Sequence, residues 1–230
     1  MDFALLVRIG RVTPYHTDSG DNQVITAQSL LLGTQNEGKL RELKQLLAGL
    51  PFQLYTLSDF PNIESVPETG KSFSENACLK AAGYASQTNL LTLADDSGLE
   101  VDALGGGPGI LSARYAGDGA NDADRATRLL TELSNVPVEK RSARFVSAVA
   151  IANTKGQIVN VSVGVCDGRI DFAPSGSGGF GYDPVFVPSG YEKTFGELKP
   201  EIKNQISHRA RALLAAREFL LTLTARSSDG

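Results

Sequence analysis

Cysteine is scarce in this 230-residue chain: there are two, Cys78 and Cys166, far apart and in no C-x-x-C spacing. That pattern argues against a disulfide framework and a cysteine zinc site, and points to a reducing, cytoplasmic setting. A basic excess is missing as well. Lys and Arg number 22 against 26 Asp and Glu, a net charge of −4. A protein that carries nucleic acid by bulk electrostatics usually shows the opposite balance, so no nucleic-acid partner is expected, although a local pocket for a small anion remains open. No apolar run approaches the ~18 residues of a membrane span, so no membrane partner is expected either. Internal repeats and low-complexity tracts are absent. No G-x-G-x-x-G lies between a strand and a helix, which removes a dinucleotide-binding fold.

The first 27 residues lack the marks of a signal peptide. The apolar stretch Phe3 to Ile9 is interrupted by Arg8, and Asp2 stands where positive charge is needed. We read residues 1–27 as a flexible N-terminal extension, 28–225 as one catalytic α/β domain of two lobes, and 226–230 as a tail.

What is present is an alternation of strands and helices. "QSLLLG" (28–33) reads as a buried strand, and Leu40, Leu43, Leu46 and Leu47 recur at helical spacing behind it. "FQLYTL" (52–57) alternates as a second strand. Ser72-x-x-Glu75 is a capping box opening a helix from Ser72 to Ala85. "LLTLA" (90–94) is a strand expected to end at Asp95-Asp96. A helix over 121–134 carries acids in its first turn, as the helix dipole prefers. "ARFVSAVAIANTKGQIVNVSVGVCDGRI" reads as two long strands joined at "NTKG", and residues 204–223 as a closing helix. Crossover and hairpin connections in one chain imply an α/β fold with a mixed central sheet flanked by helices.

Five segments carry chemistry. Gly33, then four residues, then Gly38-Lys39 is the opening of a phosphate-binding P-loop, but Leu40 stands where Ser or Thr would hold Mg²⁺. A strand feeding a helix through Thr34, Asn36 and Lys39 still suits an anion, since the helix N-terminus offers N–H groups and Lys39 a full charge. Asp95-Asp96-Ser97 after an apolar strand fits a carboxylate cluster that binds a metal and activates water, or the metal-binding strand of an ATPase. Glu68, in a Pro/Gly loop without an evident structural task, is a second carboxylate, whereas the capping box already explains Glu75. "SGSGGFGYDP" (175–184) lets backbone approach a ligand and offers Phe180 and Tyr182 for stacking. Lys203, Ser207, His208 and Arg209 place donors at the start of the last helix, and His208 is the only histidine inside the expected folded part.

Taken in order, these segments resemble the inosine triphosphate pyrophosphatase family. The matching residues are Thr34-x-Asn36-x-x-Lys39, Glu68-Thr69-Gly70-x-Ser72-Phe73-x-Glu75-Asn76-Ala77, Asp95-Asp96-Ser97-Gly98-Leu99 and Pro108-Gly109-x-x-Ser112-Ala113-Arg114-Tyr115. Gly178-Gly179-Phe180-Gly181-Tyr182-Asp183-Pro184, Thr194-Phe195-x-Glu197-Leu198 and Lys203-Asn204-x-Ile206-Ser207-His208-Arg209 complete the series. The resemblance covers residues 29 to 222. Gly196, where the family commonly has Ala, and the N-terminal extension depart from it.

The resemblance implies an elongated two-lobed fold with a cleft between the lobes, a homodimer, and Mg²⁺-dependent hydrolysis of ITP, dITP or XTP to the monophosphate and pyrophosphate. By position it assigns Thr34, Gln35, Asn36, Glu37, Gly38, Lys39 and Lys71 to the triphosphate. Asp96 becomes general base and metal residue, Glu68 its metal partner, and Ser97 a substrate contact. Phe180, Gly181, Tyr182, Asp183, Lys203, His208 and Arg209 surround the nucleoside. Two other readings differ in product: a P-loop-like NTPase would release orthophosphate, and a non-catalytic nucleotide-binding module would release nothing.

Overall fold

The computed structural model describes residues 28–226. The expected N-terminal extension and residues 227–230 lie outside the described residues.

Strand β1 (Gln28–Leu32) leads through a short turn into helix α1 (Glu37–Leu46). Asn36 caps that helix, its side chain accepting from the Lys39 backbone N–H at 2.9 Å. Leu43 and Leu47 bury the apolar stripe that their spacing predicts. Strand β2 (Phe52–Thr56) then lies parallel to β1. Helix α2 (Phe73–Thr88) begins at the expected cap: Ser72 Oγ accepts from Glu75 N, while the Glu75 carboxylate turns to the Lys71 N–H.

Strand β3 runs Leu91–Val101, so it does not end at Asp95 as the sequence suggested. The reason is the partner: β4 (Ser142–Ala152) pairs antiparallel with β3 from Thr92 to Val101 and holds the chain extended through the acidic pair and Gly98. Helix α3 (Asp122–Glu132) fills the connection, and β4 turns back through residues 153–157 into β5 (Ile158–Ile170) as the expected hairpin. After the short β6 (Phe186–Pro188) come α4 (Pro200–Ile206) and α5 (His208–Arg226), where one helix was expected. The break has a local cause. Ser207 adopts extended backbone, φ −69° and ψ 159°, and its Oγ accepts from Ala210 N at 3.2 Å, capping α5.

The six strands lie in the order β2-β1-β3-β4-β5-β6. The β2, β1 and β3 strands are parallel and the remainder antiparallel, so the sheet is mixed as expected. Two cores occupy opposite ends of the long strands. One gathers Leu30, Leu32, Leu43, Leu93, Ile151, Leu213 and Leu220; the other gathers Leu99, Leu129, Phe145, Ile170, Phe186 and Phe195. Each core buries its own apolar set, which makes two lobes, and β3, β4 and β5 pass through both. Helix α2 covers the middle with an alanine face: Ala77, Ala81 and Ala85 pack on Ala94, Ala148, Ala150 and Ala152. Among the described residues no helix is long and apolar enough to cross a membrane.

Candidate active site

Strand β1 stops at Leu32, opposite Leu93, while β3 continues. Past that point no strand among the described residues pairs with β3 on its β1 side until the lone bridge of Glu100 to Pro108, and Asp95, Asp96 and Ser97 border the notch. The end of a strand in an open α/β sheet is where such folds leave room for a ligand. The pleat then separates the two aspartates, because successive side chains on a strand point to opposite faces.

Asp95 and Ser97 face α1 and α5. Asp95 is fully buried and receives Lys39 Nζ at 3.2 Å and Arg209 Nε at 3.2 Å, both on Oδ2. Arg209 Nη2 reaches Ser97 Oγ at 2.8 Å. Burial would raise the Asp95 carboxyl, but the Lys39 and Arg209 charges outweigh it and hold it far below the usual carboxylate range. Lys39 gives in the other direction: burial pulls its ammonium below the ordinary lysine value despite Asp95. Among the described residues, Asp95 Oδ1 has no hydrogen-bond partner.

Asp96 faces α2. Its carboxylate accepts from Asn76 Nδ2 at 3.0 Å and from the Ser97 N–H at 2.9 Å. Lys80 Nζ stands 3.7 Å from Asp96 and 2.6 Å from Glu68, so one ammonium bridges the two carboxylates that the sequence paired. Burial pushes the Asp96 carboxyl above its usual range, more than Lys80 and Lys39 pull it down. Burial also works to discharge Lys80, but Asp95, Asp96 and Glu68 outweigh it and keep the ammonium charged.

Beyond the notch opens a cleft. Asn36, Lys39, Ser97, Phe180, Lys203 and Arg209 are among its walls, with His208 beside them. Phe180 lies over Gly38: a Cβ there would stand 2.6 Å from the ring, so only glycine lets the aromatic close on the turn. Lys203 Nζ is 4.9 Å and the Arg209 guanidinium 5.6 Å from the Phe180 ring centre. His208 stacks on Phe145 with centroids 4.6 Å apart and planes at 12°. Burial, with the charges of Arg209 and Lys203, drives its pKa well below the ordinary histidine value, so the ring is neutral. Its Nδ1 has no partner among the described residues.

The structure divides the other expected residues. Tyr182 is buried and donates its hydroxyl to Ser112 O at 2.9 Å, acting as cleft wall. Asp183 is buried, accepts from the Phe180 N–H at 2.8 Å and pairs with Lys203, so it sets the Phe180 turn. The Gly181 N–H is anchored on Asp122 at 2.6 Å. Thr34 Oγ1 accepts from the Asn36 N–H, and Thr34, Gln35 and Glu37 line a separate recess with Thr56, Ser58 and Phe60. Lys71 is exposed and outside the cleft lining, and the lysine beside Asp96 is Lys80. Lys80 escaped the sequence reading although it had a signal. With Phe73, Asn76, Ala77, Ala81 and Tyr84 it sits on the buried stripe of α2, where a lysine is out of place unless paired. Glu42 was missed in the same way, on the Lys39–Leu43–Leu46 stripe of α1.

Comparison with known proteins identifies the family. The model of the Ham1 family matches residues 30–219. The chain belongs to the Ham1 family. A dITP/XTP pyrophosphatase of Geobacillus kaustophilus is 50% identical over 186 residues, covering 81% of this chain and 91% of that protein. One of Geobacter sulfurreducens is 48% identical over 191 residues, covering 83% and 96%. Among solved structures, a HAM1 protein from Coxiella burnetii superposes with TM-score 0.77 at 38% identity, covering 85% of this chain and 99% of that one. A nucleoside-triphosphatase, dITP/XTP pyrophosphatase, from Mycobacterium abscessus gives TM-score 0.67 at 47% identity, covering 82% and 98%. The segments around the notch and those around the cleft all fall inside the matched span.

Proposed function

We propose that this chain is a nucleoside triphosphate pyrophosphatase acting on deaminated purine nucleotides, dITP, XTP and ITP. The reading rests chiefly on one observation: two lysines, Lys39 and Lys80, stand on opposite faces of the β3 notch beside Asp95 and Asp96, next to a cleft with an aromatic and spare donors. Phosphoryl chemistry asks mainly for positioning and charge compensation, which that pair supplies.

The residues also fit Mg²⁺. Among the described residues no group of three or more His, Cys, Asp or Glu converges on one point. The Asp96 and Glu68 carboxylates both reach the Lys80 ammonium, so they lie near enough to each other to share a cation. A magnesium ion is commonly held by one or two carboxylates, with water and substrate phosphate oxygens completing the shell. Asp96 and Glu68 would hold it here, and when bound it supplies charge neutralisation of the triphosphate.

In this reading the first turn of α1 with Lys39, and Lys80 from α2, bind the triphosphate. Asp96, its carboxyl raised by burial, takes the proton of a water aligned with the α–β linkage. The water oxygen joins phosphorus as the bridging P–O bond breaks, and pyrophosphate departs from the monophosphate. Lys203, neutral His208 and Arg209 read the base. Hypoxanthine and xanthine carry a 6-carbonyl that accepts from such donors, whereas adenine's 6-amino group meets donors with another donor. The same proposal takes the working unit as a cytoplasmic homodimer, as the family resemblance implies.

The test is product analysis with dITP, XTP, ITP, GTP and ATP, with and without Mg²⁺. Pyrophosphate from the deaminated purines is expected. Orthophosphate, or binding without turnover, would overturn the reading.

A further inference from the structure

Glu42 does not line the cleft among the described residues, yet it ties together two residues that do. Its Oε1 accepts from Lys203 Nζ at 2.7 Å, and its Oε2 pairs with Arg209 Nη1. Its side chain is 13% exposed. Burial pushes the Glu42 carboxyl up, but Arg209 and Lys203 outweigh it and hold the group below the usual glutamate range, so it is ionised.

Counting donors shows what this arrangement leaves over. Lys203 has three N–H donors, of which Glu42 and Asp183 take two. Arg209 has five, of which Asp95, Glu42 and Ser97 take three. The spare hydrogens belong to groups that border the cleft. Lys203 comes from α4 and Arg209 from α5, on either side of the Ser207 break, and both heads carry the same charge. Without a carboxylate between them they would repel, and each would lose one of the fixed bonds that aim it. The carboxylates that line the cleft, Asp122 and Asp183, are meanwhile turned to Arg125 and Lys203.

We propose that Glu42 is a positioning residue for base selection: it orients Lys203 and Arg209 so that donors alone face the 6-position of the purine. This rests on the pyrophosphatase reading above. Glu42→Gln keeps the shape but places an amide NH₂ against one cation and a neutral oxygen against the other. Lys203 and Arg209 thereby lose their common anionic anchor.

The experiment measures kcat/KM for pyrophosphate release from dITP and from dATP in the full-length protein with Mg²⁺. Wild type must favour dITP; a wild type that releases no pyrophosphate, or shows no preference, overturns the functional reading and the proposal together. Given that preference, Glu42→Gln is expected to shrink the dITP-to-dATP ratio by about 10–100-fold, an effect the size of one broken charge-assisted contact. The change should fall mainly on the KM for dITP, with dATP turnover nearly unaltered. A purely structural role would lower both substrates equally and leave the ratio unchanged, and that result overturns the proposal. A double-mutant cycle with Lys203→Met separates routes. If Glu42 acts through Lys203, the two effects on the ratio are non-additive; additivity overturns the assignment. Should Glu42→Gln not fold, Glu42→Asp reads the same ratio, since it keeps the charge and withdraws the carboxylate from one of its two partners.

Discussion

Asp95 and Asp96 are chemically identical neighbours, and one residue of pleat gives them different environments. Asp95 is fully buried between Lys39 and Arg209, which keep it ionised; Asp96 is bordered by Asn76 and Lys80 and its carboxyl is raised by burial. The two substitutions to Asn should therefore separate. Asp96→Asn is expected to lower kcat by about 10²–10⁴-fold, the usual worth of a general base, with a melting temperature near wild type. Asp95→Asn leaves two buried cations short of their partner and is expected to cost about 3–5 kcal/mol of stability, read by urea unfolding. Lys80 gives a second contrast at this scale. Lys80→Met should lower kcat/KM for dITP by about 10²–10³-fold, as loss of a donor to developing charge does. Lys71→Met, at an exposed position, should stay within about fivefold. Equal losses in the two variants would place Lys71 on the triphosphate beside Lys80.

At the scale of elements, the site depends on how closely α5 lies on the sheet. Gly164 of β5 faces the start of that helix: a Cβ there would come closer than 3.0 Å to His208 O and Ala212 N, both backbone atoms that cannot swing aside. The glycine thus lets the first turn of α5 touch the strand, which fixes where His208 and Arg209 emerge. Gly164→Ala is expected to destabilise the fold by about 1–3 kcal/mol through overpacking, and to raise the KM for dITP as the turn is pushed outward. Calorimetry and steady-state kinetics on the same preparation check both halves. Much of this level was legible beforehand. The Ser72 cap, the α1 stripe and the β4–β5 hairpin each depend on residues a few positions apart, and they lie where the sequence placed them. The end of β3 and the break between α4 and α5 were misplaced. Acidic residues in mid-strand run against local preference and are overridden by ten residues of pairing with β4. At Ser207, helical periodicity on both sides masks a single extended residue.

For the whole molecule, the long strands β3, β4 and β5 act as a common floor for two separate cores, and the candidate site sits where β1 leaves that floor. We propose that residues 28–225 are the complete catalytic unit: the described fold begins at Gln28 with β1, and the family match at residue 30. A chain started at residue 28 is expected to keep its kcat/KM for dITP within about twofold, since it retains the whole span matched by the family. A larger loss in that assay would assign residues 1–27 a part in the working enzyme.

The sequence by itself determined the class of the fold, the order of the motifs and the types of groups at the site, because caps, stripes and hairpins are short-range and the residue chemistry is intrinsic. Tertiary structure alone decided which groups meet. The register of β3 on β4 turned Asp95 towards α1 and α5 and Asp96 towards α2, and the packing of α2 brought Lys80, not Lys71, to the carboxylates. The Ser207 break set Lys203 and Arg209 on the two oxygens of Glu42. Those meetings join residues up to 167 positions apart, and no local preference encodes them. They follow from burying two apolar cores on one shared set of strands, which leaves the charged groups no other place to find partners.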